Sequence, residues 1–286
     1  MMGVIKGGAD IGSQRLPIVS GTFPLRGFAS LPFFFDSVYE YEAALNNPEM
    51  IKIMDRTYAK VGMVKLFEAA SNGSTAFFGK KSIATVEDFK GLKVRTSGLL
   101  PTFTMKQLGA NPLTMSAAEI AEALKRGTVD AISTWPAFGM GTGMVDISTE
   151  ISYWPTWSSY GGVVVINMKS WKALPQELQK ILKEVGRKMQ AEIFYGTFCE
   201  QLVAKKGIEI AGLNITMPEQ TEVNKVRKMA KPAINEWLKK AGPDGKKVLN
   251  IAAKYASGAK IMLGKQVFQT VTLLSTGHGF PAEDIE

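Results

Sequence analysis

The side chains able to do covalent or metal chemistry are few and scattered in this sequence. The single cysteine is Cys199 and the single histidine is His278. Neither has a second Cys, His or acidic residue at the spacing of a metal site or of a nucleophile and its base. The glycines from Gly139 to Gly143 lack the lysine of a phosphate loop, and we interpret them as a flexible connection. The sequence therefore disfavours an enzyme, and we expect no cofactor and no metal.

Arg95 offers a different kind of chemistry, the non-covalent recognition of an anion. It ends a short strand-like segment, Lys93-Val94-Arg95. A guanidinium presents a planar fork of donors that matches the two oxygens of a carboxylate, and it keeps its charge at any physiological pH. The residues alone leave two interpretations open: a carboxylate-binding arginine, or a surface arginine that forms a salt bridge beside Lys93.

The composition is that of an ordinary globular protein with about two lobes. The 286 residues are 45% hydrophobic and 21% charged, and one domain holds about 150 residues. No run approaches the ~18 consecutive apolar residues that a membrane helix needs. The formal net charge is +8, but the basic residues between Lys225 and Lys240 alternate with apolar ones at helical spacing, as on a solvated helix face. We therefore expect no nucleic-acid partner.

Strand-like and helix-like segments alternate along the chain, which indicates an α/β fold. The pattern predicts strands at 64–69, 74–78, 93–95, 129–132 and 162–167. It predicts helices at 36–45 and 48–61, with Asp36 and Asn47 as candidate caps, and at 98–108, 116–126, 218–240 with a kink at Pro232, and 244–255. From Pro175 to about Lys206 it predicts one helix of about 30 residues, roughly 45 Å long. Because this length exceeds the width of one lobe, the helix is expected to span both.

Six segments, in order along the chain, resemble the dicarboxylate-type substrate-binding proteins of TRAP (tripartite ATP-independent periplasmic) transporters. They are Gly8–Gly12, Gly21–Leu25 with Ser30–Phe33, Asp88–Arg95, Leu108–Pro112, Gly127–Ala131, and Val165–Trp171 with Leu174-Pro175. The resemblance covers Gly8 to about Gln179, and after Lys206 it is only general. In that family the arginine that ends the Gly-Leu-Lys-Val-Arg strand binds the ligand carboxylate, so the resemblance favours the ligand role for Arg95.

The resemblance implies a two-lobed periplasmic-binding-protein fold (type II-like, Venus-flytrap) with hinge strands and a long lobe-spanning helix. The expected parts are a first lobe at 1–94, a second lobe with the cleft and hinge strands at 95–168, the long helix at 169–206, and C-terminal helices at 207–286 that pack back on the lobes. The implied function is that of a periplasmic receptor that closes on a small organic acid and delivers it to the membrane permease subunits.

One departure from the family pattern concerns the ligand. Many members carry Gln-Glu-Asn-Pro after the Val-Asp pair, whereas this chain reads Ala131-Ile132-Ser133-Thr134-Trp135-Pro136. Ser133 and Thr134 offer hydroxyl groups, and Trp135 offers a flat apolar wall directly after a strand end, where open α/β sheets place ligand groups. Aromatic residues continue at Phe138, Trp154, Trp157 and Tyr160, and for Phe138 and Trp154 we favour a packing role. We therefore expect a monocarboxylate with an apolar or aromatic body.

The candidate ligand-binding residues are Arg95, Trp135, Ser133, Thr134, Tyr160, Asn167 and Phe34.

A second departure lies at the amino terminus. Relatives begin with a signal peptide and then a strand, a helix and another strand, whereas this chain opens inside the helix and has no secretory signal. We expect the first lobe to lack its leading strand, which would leave an unpaired sheet edge. A gene start assigned at an internal methionine and an artificially shortened chain are the competing explanations, and a cytoplasmic variant is a third.

Other functions remain as alternatives at this point. A ligand-sensing module would share the two-lobed architecture but would need a signalling or DNA-reading domain, and this chain shows none. A receptor for another type of transporter is disfavoured by the Arg95 motif and by the single long helix, through the resemblance alone. The sequence does not determine the oligomeric state.

Overall fold

The computed structural model describes residues 1–15, 20–72, 75–156 and 159–263, and within them the strands form two sheets. The smaller sheet has three strands, with β8 in the centre and antiparallel to both neighbours. Its strands are β1 (Ile11–Arg15), β2 (Met63–Asn72) and β8 (Ser159–Asn167). The larger sheet has the order β5-β4-β6-β3-β7-β9. Its strands are β3 (Thr75–Gly79), β4 (Lys93–Thr96), β5 (Asn111–Thr114), β6 (Ala131–Thr134), β7 (Glu150–Trp154) and β9 (Asn214–Thr216).

Helices cover both sheets, and the α/β architecture expected from the alternation of segments is confirmed. In chain order the α-helices are α1 (Met2–Ile5), α2 (Val38–Leu45), α3 (Pro48–Ala59), α4 (Leu99–Gln107), α5 (Ile120–Lys125), α6 (Pro136–Gly141), α7 (Met168–Ala173), α8 (Gln176–Ile210), α9 (Gln220–Ala230), α10 (Pro232–Ala241), α11 (Gly245–Ala253) and α12 (Ser257–Leu263). Short 3-10 helices lie at Pro24–Ser30, Glu87–Phe89 and Met144–Asp146.

The chain crosses between the two sheets twice, each time through a short connection. β3 of the larger sheet begins at Thr75, three positions after β2 of the smaller sheet ends at Asn72. β7 of the larger sheet ends at Trp154, and β8 of the smaller sheet begins at Ser159. These two crossings are the hinge strands that the resemblance implies. The predicted division into lobes at 94, 168 and 206 stays a prediction.

The helix α8 is the third link between the two halves of the fold. Its 35 residues give a length of about 52 Å, and it extends beyond the predicted end at Lys206. Near its start, Gly186 packs directly on the backbone of β2. Near its end, Ile208 is buried in the core of the larger sheet with Phe78 and Ile132. The expectation of a helix that spans both lobes is therefore confirmed.

After β9, the C-terminal helices join the larger hydrophobic core. Trp237 of α10 is buried, and its indole nitrogen donates to the Pro24 carbonyl oxygen at 2.9 Å. The side chains of α11 and α12 join the same hydrophobic core, which also contains Phe28, Tyr41 and Val165. The C-terminal helices thus pack on a core to which both sheets contribute, through Val163 of β8 and Phe77 of β3.

A buried ion pair lies within this core. Arg26 has no exposed surface, and its guanidinium pairs with the Glu68 carboxylate of β2. The ring of Tyr41 is fully buried nearby, and burial raises the pKa of its phenol. Removing one member of such a pair strands the other charge in a low-dielectric interior. The pair therefore links the segment before α2 to β2, the strand that leads into the first crossing.

Three sequence predictions were wrong in detail. The glycine segment from Gly139 to Gly143 is not a flexible connection, because α6 runs through it and Gly139 lies against the Phe78 ring. The cap of α2 is Ser37, whose hydroxyl accepts from the Glu40 N–H, and not Asp36. Pro232 separates two helices rather than kinking one, since it has no N–H to continue the helix. The capping box at Ser116 is confirmed only in part, because the Glu119 carboxylate accepts from Ser116 but α5 begins four residues later, at Ile120.

The helix α8 contains a matched pair of glycines that tests its packing. A Cβ at Gly186 would lie 2.9 Å from the Leu66 carbonyl oxygen, whereas nothing lies within 4 Å of a Cβ at Gly196. Replacing glycine by alanine in an open helix stabilises it by about 0.5–1 kcal/mol, while forcing atoms into a filled space costs about 1–3 kcal/mol. Urea denaturation should therefore show a gain in unfolding free energy for Gly196→Ala and a loss for Gly186→Ala. Equal effects of the two changes would contradict the packing of α8 on β2.

Candidate ligand-binding cleft

The strand directions of the larger sheet bring the carboxyl ends of five strands to the same end of the sheet, which we call the strand edge. β4 is parallel to β5 and β6, β7 is parallel to β9, and β3 is antiparallel to both β6 and β7. Only β3 therefore runs in the opposite direction, and its amino end lies at the same edge. Both crossings to the smaller sheet leave from this edge. The cleft between the two sheets is thus located where strand ends collect, as is typical of ligand sites in open α/β sheets.

Arg95 lies at this edge and is nearly buried, with 7% of its surface exposed. It is the third residue of β4, and its Nη2 donates to the carbonyl oxygen of Met115 at 3.3 Å. Met115 directly follows β5, so the guanidinium leans toward that strand. The alternative of a surface arginine beside Lys93 does not fit this burial.

Strand register assigns Ser133 and Thr134 to opposite faces of the sheet. Arg95 is paired with Ile132, so Arg95 and Thr134 share one face, because side chains two apart on a strand point the same way. Ser133 is paired with Phe77 and faces the larger hydrophobic core. Thr134 is 2% exposed, and its hydroxyl has no hydrogen-bond partner in the described part of the chain. A buried hydroxyl without a partner costs free energy, which a bound ligand would offset.

Trp135 takes part in a contact that crosses the cleft. Its ring lies 4.7 Å from that of Phe138, centroid to centroid. The guanidinium carbon of Arg15 lies 5.0 Å from the centroid of the Trp135 ring, within the range of a cation–π interaction. Arg15 ends β1 of the smaller sheet, and its Nη1 also donates to the Ser71 hydroxyl at 3.2 Å. These residues therefore join the two sheets at the strand edge that carries Arg95.

Sequence reasoning missed Arg15 and Ser71. A signal was present, because Arg15 ends the strand that begins inside the Gly8–Gly12 motif, in the lobe opposite to Arg95. The contact itself depends on how the two sheets meet, and no spacing along the chain encodes it.

An apolar cavity of about 460 Å³ opens at the same edge. Tyr153 of β7 and Pro136 of α6 form one wall, and Phe198 and Leu202 of α8 form another. Burial raises the pKa of the Tyr153 phenol to about 12, and the negative charge of Glu209 adds to this effect. The phenol therefore stays protonated at physiological pH and can donate a hydrogen bond.

The structure brings some of the other predicted residues to this edge and leaves others elsewhere. The backbone of Tyr160 pairs with Ser71 at the cleft end of β8, while its side chain and the whole of Trp157 lie outside the described residues. Trp154 is buried and donates to the Ile83 carbonyl oxygen at 2.8 Å, so the packing role expected for it fits.

Asn167 and Phe34 are not brought to the cleft. Asn167 ends β8 about 23 Å from Tyr160 along the strand. Its amide donates to the Val4 carbonyl oxygen at 2.7 Å and accepts from the Lys169 N–H at 2.8 Å, so it caps α7. Phe34 has no exposed surface and packs edge-on against Phe35 in the core. The ligand roles of all seven predicted residues stay predictions.

Groups suited to metal binding or nucleophilic catalysis are not assembled at this edge. In the described ranges no three His, Cys, Asp or Glu side chains are grouped to hold a metal ion. Cys199 is exposed on α8, and His278 lies outside the described residues.

A cleft between two α/β layers, with two crossing strands, a shared long helix and a buried arginine at the strand edge, is the architecture of a two-lobed binding-protein fold. Residues 1–240 match the family model of the bacterial extracellular solute-binding protein, family 7 (DctP). The chain therefore belongs to this family, and the expected TRAP solute-binding fold is confirmed. Membership also confirms the periplasmic location, and the members of this family and the structural neighbours are substrate-binding receptors, not enzymes.

Three similar proteins place the chain within the family. It is 30% identical over 166 residues to the Nostoc sp. monocarboxylate 2-oxoacid-binding periplasmic protein. This alignment covers 57% of the present chain and 45% of the relative. It is 31% identical over 206 residues to the C4-dicarboxylate-binding periplasmic protein DctP of Vibrio cholerae, covering 67% and 58%. The solved structure of DctP7, a Bordetella pertussis extracytoplasmic solute receptor binding pyroglutamic acid, superposes with a TM-score of 0.80 at 22% identity, covering 88% and 82%.

The chain thus spans about half the length of the curated relatives that it matches. Among the described residues, no helix combines the length and the apolar character needed to cross a membrane.

The unpartnered hydroxyl of Thr134 can be tested without a ligand. In Thr134→Val a methyl group replaces the hydroxyl, so we expect the unfolding free energy to stay the same or to rise. The matched control is Ser152→Ala, because the Ser152 hydroxyl accepts from the Ile83 N–H at 2.9 Å and is also buried. Its removal should cost about 1–3 kcal/mol, measured by denaturant unfolding of both variants. A loss for Thr134→Val as large as that for Ser152→Ala would show that the Thr134 hydroxyl is already bonded.

Proposed function

We propose that this chain is the extracytoplasmic receptor of a TRAP transporter, that it binds a monocarboxylate with an apolar or aromatic body in the cleft, and that it delivers this acid to the membrane permease. The observation that carries the proposal is the buried guanidinium of Arg95 at the edge where the carboxyl ends of the strands collect. Family membership supports the transport role.

The carboxylate contact follows from the setting of Arg95. A guanidinium in a largely water-excluded site attracts a carboxylate more strongly than it would in bulk water, because the effective dielectric constant there is lower. Two parallel N–H···O bonds fix the orientation of the acid as well as its charge. Thr134, on the same face and on the neighbouring strand, supplies a hydroxyl whose bond is not yet made.

The apolar body of the ligand is supported by the surfaces beside Arg95. Trp135 presents an aromatic ring at the strand edge, and the cavity next to it is lined mainly by carbon atoms of Pro136, Phe198 and Leu202. The Nostoc relative is described as binding monocarboxylate 2-oxoacids, and the Bordetella receptor binds pyroglutamic acid. The Vibrio relative is described as binding C4-dicarboxylates, so dicarboxylates belong in the test.

Closure of the lobes on the ligand follows from the same geometry. Arg95 and Trp135 belong to the larger sheet, whereas Arg15 and Ser71 belong to the smaller one. A ligand that contacts residues of both sheets binds the closed state more tightly than the open state. This difference in affinity sets how far the equilibrium shifts toward closure.

A thermal-shift screen tests the proposed function. The panel contains aromatic and branched monocarboxylates, 2-oxo acids, pyroglutamate and C4-dicarboxylates. A ligand at 100 times its dissociation constant stabilises the folded state by about 2.7 kcal/mol, which is a clear shift in melting temperature. We expect a shift with a monocarboxylate in the wild-type chain and none in Arg95→Ala.

The control for Arg95→Ala is Arg126→Ala. Arg126 is exposed, lies in the same half of the fold as Arg95, and pairs with Glu122. It should leave the shift unchanged. A shift that survives in Arg95→Ala would overturn the assignment of the site. A C4-dicarboxylate that binds far more tightly than any monocarboxylate would overturn the proposed ligand class while leaving the receptor function intact.

The same screen gives a second result for Thr134. If its hydroxyl donates to the bound acid, Thr134→Val should weaken binding by about 5- to 10-fold, the worth of one hydrogen bond in this setting. Isothermal titration with the acid identified above measures the change. Unaltered affinity would remove Thr134 from the site.

A further inference from the structure

Arg15 occupies an unusual position for a charged residue. Its backbone lies in β1 of the smaller sheet, but its guanidinium carbon is 5.0 Å from the centre of the Trp135 ring, which follows β6 of the larger sheet. One of its donors is bound by the neutral Ser71 hydroxyl at 3.2 Å. In the described part of the chain no carboxylate lies within ion-pair distance of this guanidinium. Arg15 is thus a cation at the cleft whose remaining donors are available to an anionic or oxygen-bearing ligand.

Space for such a ligand lies beside Arg15. A cavity of about 420 Å³ is lined by Arg15 and Ser71, by Gly162 of β8 and by Ile193 of α8. Pro136, the residue after Trp135, lines the apolar cavity described above. One cavity therefore includes Arg15, and the other includes the chain neighbour of Trp135.

Arg15 and Arg95 mark opposite ends of the candidate site. Arg95 is on β4 and leans toward β5 through its bond to Met115, whereas Trp135 follows β6 on the other side of β4. Arg95 pairs with Ile132, so Trp135 lies three residues further along and one strand across. This places the two Cα atoms about 11 Å apart. A carboxylate held by Arg95 therefore leaves the far end of a flat ligand near Trp135 and Arg15.

We propose that Arg15 is a specificity-determining residue of the cleft, and that it binds a second oxygen acceptor at the end of the ligand remote from the carboxylate. The favoured substrate class is then a carboxylic acid with an apolar body and a distal hydroxyl, keto or ring-carbonyl oxygen. This inference rests on the proposed function. A guanidinium near an aromatic ring forms its strongest hydrogen bonds with an acceptor that lies in the plane of its N–H groups, while the ring contacts the ligand body. An acid without the distal oxygen would cover the donors of Arg15 without satisfying them, which costs affinity.

Matched ligand pairs test this role. The probes are phenylacetate with 4-hydroxyphenylacetate, and cyclohexanecarboxylate with 4-oxocyclohexanecarboxylate, since each pair differs only in the distal oxygen. Isothermal titration gives the affinity ratio within each pair for the wild-type chain, Arg15→Ala and Arg15→Lys. We expect the wild-type chain to prefer the oxygenated member of at least one pair by 5-fold or more. Arg15→Ala should bring that ratio close to 1, and Arg15→Lys should keep part of it.

The control is Arg187→Ala, which removes the same charge from an exposed position on α8 and should leave the ratio unchanged. A wild-type ratio near 1 in both pairs, or an unchanged ratio in Arg15→Ala, would overturn the inference. The proposed function fails separately, through binding that survives in Arg95→Ala or through the absence of binding by every acid tested. Circular dichroism of each variant confirms that it is folded, and a β1 variant that does not fold is replaced by Arg15→Gln, which keeps most of the side-chain volume.

Discussion

The two short crossings between the sheets are the constraint on which the rest of this structure depends. Because β2 continues into β3 and β7 continues into β8 within a few residues, the edge of the larger sheet and the cleft end of the smaller sheet are held together. Every strand of the larger sheet except β3 ends at that edge. The polar residues that follow or end those strands therefore meet in one place, although they are separated by up to about 120 positions in the chain.

Burial gives these polar groups their effect. Arg95 and Thr134 are almost completely shielded from water, so hydrogen bonds and charges there act in a medium of low effective dielectric constant. The same burial is unfavourable for a hydroxyl without a partner, and the Thr134 hydroxyl has none among the described residues. Under the proposed function, a ligand that bonds to this hydroxyl would remove that cost on binding.

Contacts across the cleft connect recognition to shape change. The interaction of Arg15 with Trp135 joins residues of the two sheets, whereas Ser71 bonds to Arg15 within the smaller sheet. The cation–π contact is worth about 0.5–2 kcal/mol, so it adds little to the hydrophobic core that the two sheets share. A ligand that bonds to residues of both sheets would lower the free energy of the closed state relative to the open state, and so shift the population toward closure. The long helix α8, packed on β2 at one end and in the second core at the other, limits the directions in which the halves can move.

The sequence by itself determined the α/β class, most strands, the long helix and the motif that contains Arg95, because periodicity, capping residues and family motifs are local properties of the chain. It also suggested Trp135 and Thr134, since both come directly at a strand end. It did not separate Ser133 from Thr134, a distinction that depends on which face of β6 each side chain takes in the register with β3 and β4.

Tertiary structure decided the remaining features. Asn167 is engaged in capping α7 and Phe34 is enclosed in the core, because the packing of distant segments determines what surrounds them. The contact between Arg15 and Trp135 joins residues from two different sheets, and it exists only once the crossings have set the sheets side by side. The segment around Gly139 forms a helix in which Gly139 lies against the Phe78 ring. Local patterns therefore determined the elements of this protein, while the pairing and stacking of those elements decided which side chains share the cleft.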